Sequence, residues 1–245
     1  MQIKPSIPLF LLLFINGVSH AQGFETDIIH GCKNLNYLST QGQQQYDKKN
    51  YLKALEYFQE QASWTDFCGL HEALTGKKIS ESQLATAYNN VGLTYSKLNR
   101  PRWAKVWYSL LPKDSKSQFN LKKLGNIAID KNKLGIYVKY IGQGSWDVLQ
   151  VSTGKVGYDI DYSGLRMGLN GLVAGPNMGE FSTYMAKNQN QAEYRDASCR
   201  ITLTFNQGEN IQVKQNQADC GFGMGVYAGG NYVKVEKLPD YAQVY

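Results

Sequence analysis

Along residues 135–237 apolar and polar side chains alternate with a period of two. The pattern runs through residues 135–141 (GIYVKYI), 146–151 (WDVLQV), 156–162 (VGYDIDY), 201–205 (ITLTF), 211–214 and 232–237. In an extended chain successive side chains point to opposite faces, so each run predicts a strand with one buried face. Between two of them, Phe205-Asn206-Gln207-Gly208-Glu209-Asn210-Ile211 puts a glycine at the centre of a hairpin turn. About seven to nine short strands at this spacing predict a small antiparallel barrel or sandwich. Residues 30–130 follow a helical period instead and are poor in glycine, whereas residues 135–237 hold 16 of the 24 glycines. The change falls at the polar stretch Asp130-Lys131-Asn132-Lys133, which reads as a joint between domains. The expected fold class is therefore α+β, with a helical domain over 22–133 followed by an antiparallel β-domain over 134–245.

The helical half repeats itself. Gly42, Tyr51, Ala54 and Phe58 in one segment are matched by Gly92, Tyr95, Pro101, Ala104 and Tyr108 in another. In both, the glycine precedes the alanine by 12 residues and an aromatic follows the alanine by four. This resembles the tetratricopeptide repeat, with its small residue in the first helix, its alanine where the second helix packs closely, and an aromatic one turn later. Tyr88 and Val91 also occupy pattern positions. Leu121, Leu124 and Gly125 then read as the start of a third first-helix, because Gly92 and Gly125 are 33 residues apart, about one repeat period. Gly42 and Gly92 are 50 apart, so an insertion of about one short helix, around residues 68–82, interrupts the array. The resemblance implies stacked helical hairpins, each burying a face its neighbour completes, and a scaffold for binding a partner.

The first 21 residues read as a secretory leader: Lys4, the apolar run at residues 9–15, and small residues at Ser19 and Ala21 before a cleavage point. The run is too short to span a bilayer, which takes roughly 20 apolar residues, so cleavage near Ala21 and a periplasmic or secreted location, with no stable membrane insertion, are expected. Without the leader the chain carries 25 Lys+Arg against 20 Asp+Glu, a net +5. The cations come in pairs (Lys48-Lys49, Lys77-Lys78, Lys122-Lys123) and not in blocks, which argues against nucleic acid as a partner.

Cys32, Cys68, Cys199 and Cys220 all lie beyond the leader. Four cysteines allow three connectivities; with two in each half, the expected bridges are 32–68 and 199–220. A metal site fails on spacing, since no C-x-x-C occurs and only His30 and His71 remain to assist. No cofactor is expected either. Gly223-Met-Gly225-Val-Tyr-Ala228 matches a dinucleotide fingerprint in letters, but lacks the strand before it, the helix after it and the acidic residue that the motif requires. Cysteine chemistry is disfavoured if all four are bridged, and no G-x-S-x-G marks a serine nucleophile. No catalytic residue is assigned.

The C-terminal run, a cysteine, a glycine cluster and a final strand Gly230-Asn-Tyr232-Val-Lys234, loosely resembles the last strands of small disulfide-stapled barrels among bacterial periplasmic lysozyme inhibitors. That resemblance implies inhibition of, or immunity to, a peptidoglycan-cleaving enzyme. The leading expectation is a non-catalytic protein that engages another envelope protein. Its basic charge counts against a basic target, because electrostatic steering is forgone. Candidate partner contacts are Trp103 and Trp107, four apart on one helix face, Asp159 and Asp161, on one face of a strand, and Tyr227 and Tyr232. The tryptophan spacing suits internal packing equally well. The alternatives are a cell-wall glycan or peptide hydrolase using two of Asp147, Asp159, Asp161 and Glu180, and a structural envelope scaffold.

Overall fold

The structure is a computed structural model that describes residues 28–166, 175–216 and 220–238; the expected leader lies outside the described residues. A helical segment at 28–33 is followed by α1 (Leu35–Asp47), α2 (Tyr51–Leu70), α3 (Glu72–Thr75), α4 (Glu81–Lys97), α5 (Pro101–Tyr108) and α6 (Ser115–Leu124). Local chemistry sets several of these ends. Ser80 and Gln83 form a reciprocal capping box at the start of α4. Pro101 opens α5, where its missing N–H costs nothing. Asp114 accepts from the Lys116 and Ser117 amides ahead of α6.

The two hairpins α1–α2 and α4–α5 are the same object displaced by 50 residues. Lys49 (φ 60°) and Asn99 (φ 56°) take the left-handed conformation at equivalent places in the two turns. The Asn50 amide donates to the Gln45 carbonyl, and the Arg100 amide to the Tyr95 carbonyl, both at 2.9 Å. A Cβ at Gly42 would strike the Phe58 ring, and one at Gly92 would strike the Tyr108 ring. The repeated glycine and aromatic are thus the two sides of one close helix crossing. The irregular stretch between the hairpins holds a lengthened α2 and the single turn α3, and Cys32–Cys68 (Cα–Cα 5.9 Å) ties it back to the first helical segment. Gly125 differs from expectation. It ends α6 with φ 71° and has no neighbour near its Cα face, so it terminates a helix and is not the counterpart of Gly92.

Among the described residues eight antiparallel strands follow: β1 (Gly135–Gly142), β2 (Ser145–Thr153), β3 (Gly157–Arg166), β4 (Asn177–Ala186), β5 (Gln191–Asp196), β6 (Cys199–Asn206), β7 (Asn210–Gln215) and β8 (Gly230–Glu236). Their order, β4-β3-β2-β1-β8-β7-β6-β5, joins two four-strand meanders through the β1–β8 pair and curls them into a nearly closed barrel. At the slit between β4 and β5, Phe181 stacks on Tyr194 at 4.8 Å and the Thr183 hydroxyl donates to the Glu193 carbonyl at 2.7 Å. Inside lie Tyr137, Leu149, Val151, Ile160, Ile201, Leu203, Ile211, Val213 and Tyr232, all buried. Cys199–Cys220 (Cα–Cα 5.1 Å) pins the loop before β8 to the start of β6. Gln207 (φ 51°) and Gly208 (φ 76°) make the predicted hairpin turn.

The barrel wall formed by β1, β2 and β8 is apolar on its outer side as well. Ile136, Val138, Trp146, Val148, Val233 and Val235 meet Val106 and Trp103 of α5. Trp103 stacks on Tyr95 and donates through Nε1 to Glu236 at 2.8 Å, while Trp107 packs edge-on to Trp146 at 5.3 Å. Arg102 grips the Glu209 carboxylate through two nitrogens, at 2.6 and 2.9 Å, and also donates to the Ala128 carbonyl. The polar joint is locked from the other side by Lys234. Its fully buried ammonium pairs with Asp130 at 3.2 Å and donates to the Asn132 carbonyl.

The Arg102 guanidinium holds the Glu209 carboxyl below its ordinary range despite partial burial. At Asp130 burial opposes ionisation, but the bond from Lys234 and a backbone amide outweigh it and the carboxyl is also lowered. At Lys234 burial wins and the ammonium is pushed down; its side chain is wholly enclosed while that of Asp130 is 12% exposed, which explains the different outcomes.

Two predictions follow from these contacts. Gly42→Ala and Gly92→Ala each overpack a helix crossing and should lower stability by about 1–3 kcal/mol, read as a shift in urea midpoint. A carboxylate whose folded pKa is depressed contributes stability that is complete above its unfolded value, about 4, and is lost as pH falls through the folded value. Wild-type stability should therefore fall steeply below about pH 4. Glu209→Gln should be weaker at pH 7 and lose less on acidification, as measured by urea midpoints across the pH range.

Candidate functional site

The outer surface of β2–β3–β4 carries the strand candidates. Register places Ser152, Asp159 and Tyr184 in one row, Gln150, Asp161 and Ser182 in the next, and Val148, Ser163 and Glu180 in a third. Asp159 and Asp161 share the exposed face, as their spacing predicts. Asp161 accepts from the Ser182 hydroxyl at 2.6 Å. Val148, Gln150, Asp161, Ser163, Glu180 and Ser182 line a shallow hollow of about 410 Å³. Exposed Met178 and Tyr184 flank it, at 54% and 45% accessibility. Among the described residues, none of Asp159, Asp161 and Glu180 is in an ion pair, whereas across the slit, on β5, Glu193 is bracketed by Arg195 and Arg200, each at 2.8 Å. Asp147 points the other way. It is buried inside the barrel and paired with Lys139 at 2.8 Å.

The aromatic candidates divide between surface and interior. Trp107 is 1% exposed and Trp103 half-buried, both within the helix–barrel seam. Tyr232 is wholly buried; its hydroxyl donates to the Ala228 carbonyl at 2.7 Å, and the Lys139 ammonium sits over its ring. Tyr227 is 42% exposed on the loop before β8, and its carbonyl receives the Lys139 ammonium at 2.7 Å. The structure thus brings Asp159 and Asp161 together on the surface, with Tyr227 apart from them on that loop. It brings Trp103 and Trp107 together in the seam.

A second concavity was not foreseen. Where the β1–β2 turn meets α2, Asp66, Leu70, Tyr88, Tyr140, Ile141, Gly142, Gln143, Ser145 and Arg166 enclose about 550 Å³. The Tyr140 hydroxyl donates to Asp66 Oδ2 at 2.8 Å, so the Tyr88 hydroxyl, 3.1 Å away, donates to Tyr140. The Gln143 amide adds a second bond to Asp66 Oδ2 at 2.6 Å, and the Gly144 amide donates to Tyr140 at 3.0 Å. Burial raises both tyrosines, so both stay protonated across the physiological range. Arg166 donates from Nε to the Gly225 carbonyl at 3.0 Å and from Nη1 to the Ile141 carbonyl at 2.7 Å. Asp66 lies in an ordinary helical stretch and Arg166 at a strand end, so only the Gly142-Gln-Gly144 turn between Tyr140 and Trp146 marks the place in the sequence.

No family model matches this chain, and no match was found among curated proteins or among solved structures. Two disulfides are formed, and none of the described helices is long and apolar enough to cross a membrane.

Tyr140→Phe removes the centre of the Tyr88–Tyr140–Asp66 chain and leaves buried partners unpaired. It should cost about 1–3 kcal/mol in urea unfolding, more than Tyr184→Phe on the open wall.

Proposed function

We propose that this chain is a non-catalytic binding protein of an oxidising, extracytoplasmic compartment, and that it engages another envelope protein through the outer face of β2–β3–β4. One observation carries the reading: three carboxylates that have no cationic partner among the described residues, flanked by exposed Met178 and Tyr184, form a continuous face on a chain whose net charge is positive. Exposed Met and Tyr are enriched in contact surfaces for proteins, and the carboxylates beside them give this surface a sign that a partner of opposite charge can complement. The leader-like segment and the two disulfides support the compartment.

A cationic partner is the complement of this face. An enzyme that works on an anionic cell-wall polymer is cationic for the same electrostatic reason, and the C-terminal resemblance to lysozyme-inhibitor-like barrels points to the same class. The objection from net charge weakens at contact. Screening over about 8 Å at physiological salt makes a docked partner sense the local face more than the whole chain.

The test is capture from envelope extract by the mature protein and by Asp159→Lys/Asp161→Lys/Glu180→Lys, followed by assay of the captured enzyme. Wild type should suppress a wall-cleaving activity at stoichiometric ratio, in a salt-sensitive manner, and the charge-reversed variant at least about tenfold less well. A captured hydrolase that keeps full activity, or equal suppression by both proteins, defeats the proposal.

A further inference from the structure

Arg166 is set apart by what it lacks. The cations of the helix–barrel seam and the barrel interior each have a carboxylate: Arg102 has Glu209, Lys139 has Asp147, and Lys234 has Asp130. Arg166 is half-buried in the wall of the junction cleft, and among the described residues it touches main-chain carbonyls and no carboxylate. Two bonds fix its orientation and, among the described residues, leave guanidinium N–H groups unused. A guanidinium that is oriented, partly dehydrated and without a counter-charge is a ready site for an anion.

The rest of the lining narrows the ligand. The side chains of Gln143 and Ser145 make no hydrogen bond to the described residues, and the bonds that Tyr140 and Gln143 give to Asp66 both fall on Oδ2. The carboxylate of Asp66 in the same cleft disfavours a doubly charged phosphate and favours a singly charged group that carries N–H donors nearby. Leu70, Ile141 and the tyrosine rings supply apolar wall, and about 550 Å³ falls within the usual range for small ligands.

The geometry points to a binding site for the free carboxyl end of a short peptide. Arg166 takes the terminal carboxylate, Asp66 takes a peptide N–H, and Gln143 and Ser145 complete the polar contacts. Such an end is offered both by cell-wall peptides, which end in D-alanine, and by the C-terminus of a protein. The site is separate from the face of β2–β3–β4 and does not depend on its role.

The test is calorimetric titration of the full mature chain with N-acetyl-trialanine in all-L and D-alanine-terminated forms, each against its C-terminal amide, and with inorganic phosphate. At least one free acid should bind, with its amide at least about tenfold weaker. The tighter of the two acids identifies the source. Arg166→Gln should lose the acid–amide difference. Because Arg166 also ties β1 to the loop before β8, the comparison within wild type stands even if that variant folds poorly. Equal binding of acid and amide, no binding of either acid at millimolar concentration, tighter binding of phosphate, or a folded Arg166→Gln protein with wild-type affinity would each overturn the assignment.

Discussion

Strands β1 and β8 carry apolar side chains on both faces. Their inner residues fill the barrel, and Ile136, Val138, Val233 and Val235 point outward, where a free barrel would leave them in water. That second apolar face must be covered, and α5 covers it with Val106, Trp103 and Trp107. The cost of exposing such a wall, roughly 25 cal/mol per Å², is what binds the helical layer to the barrel. The two halves differ in periodicity, but neither is finished without the other.

Polar contacts then fix how the layers sit. Apolar burial is non-directional, whereas the two-nitrogen grip of Arg102 on Glu209 and the enclosure of Lys234 over the joint each allow one arrangement. The Tyr88–Tyr140–Asp66 chain does the same at the far end of the seam. The junction cleft exists because these contacts hold the β1–β2 turn against α2 without filling the space beside it.

Much of this was legible in the sequence. The alternation in residues 135–141 and 201–205 marks strands because one face is uniformly apolar, and the glycine–alanine–aromatic spacing marks two hairpins because only glycine admits the Phe58 and Tyr108 rings. The division of cysteines between the halves gave the observed pairing. β4 was obscured because its exposed face carries Met178 and Tyr184 while its inner face includes Gly179 and Thr183; β5, with only Ala192 and Tyr194 facing inward, was too short to show a period. Gly125 lay one repeat length from Gly92, but spacing does not distinguish a packing glycine from a terminating one. Asp66 and Arg166 are 100 residues apart, and nothing local says that they meet in one cleft.

The slit between β4 and β5 makes the barrel unequal around its circumference. Every other neighbouring pair of strands is joined by a backbone ladder, while this pair is held by a stacked ring and one hydroxyl. Thermal breathing therefore has a preferred line: the wall parts there first, like a cylinder cut along its length. The two loose margins are consecutive in the chain, with only residues 187–190 between β4 and β5, so in folding they can meet early, whereas β1 and β8 must find each other across about a hundred residues of chain. The late step is thus the β1–β8 pairing that joins the two meanders, and until it forms the free edges of β1 and β8 stay unprotected in the newly made chain.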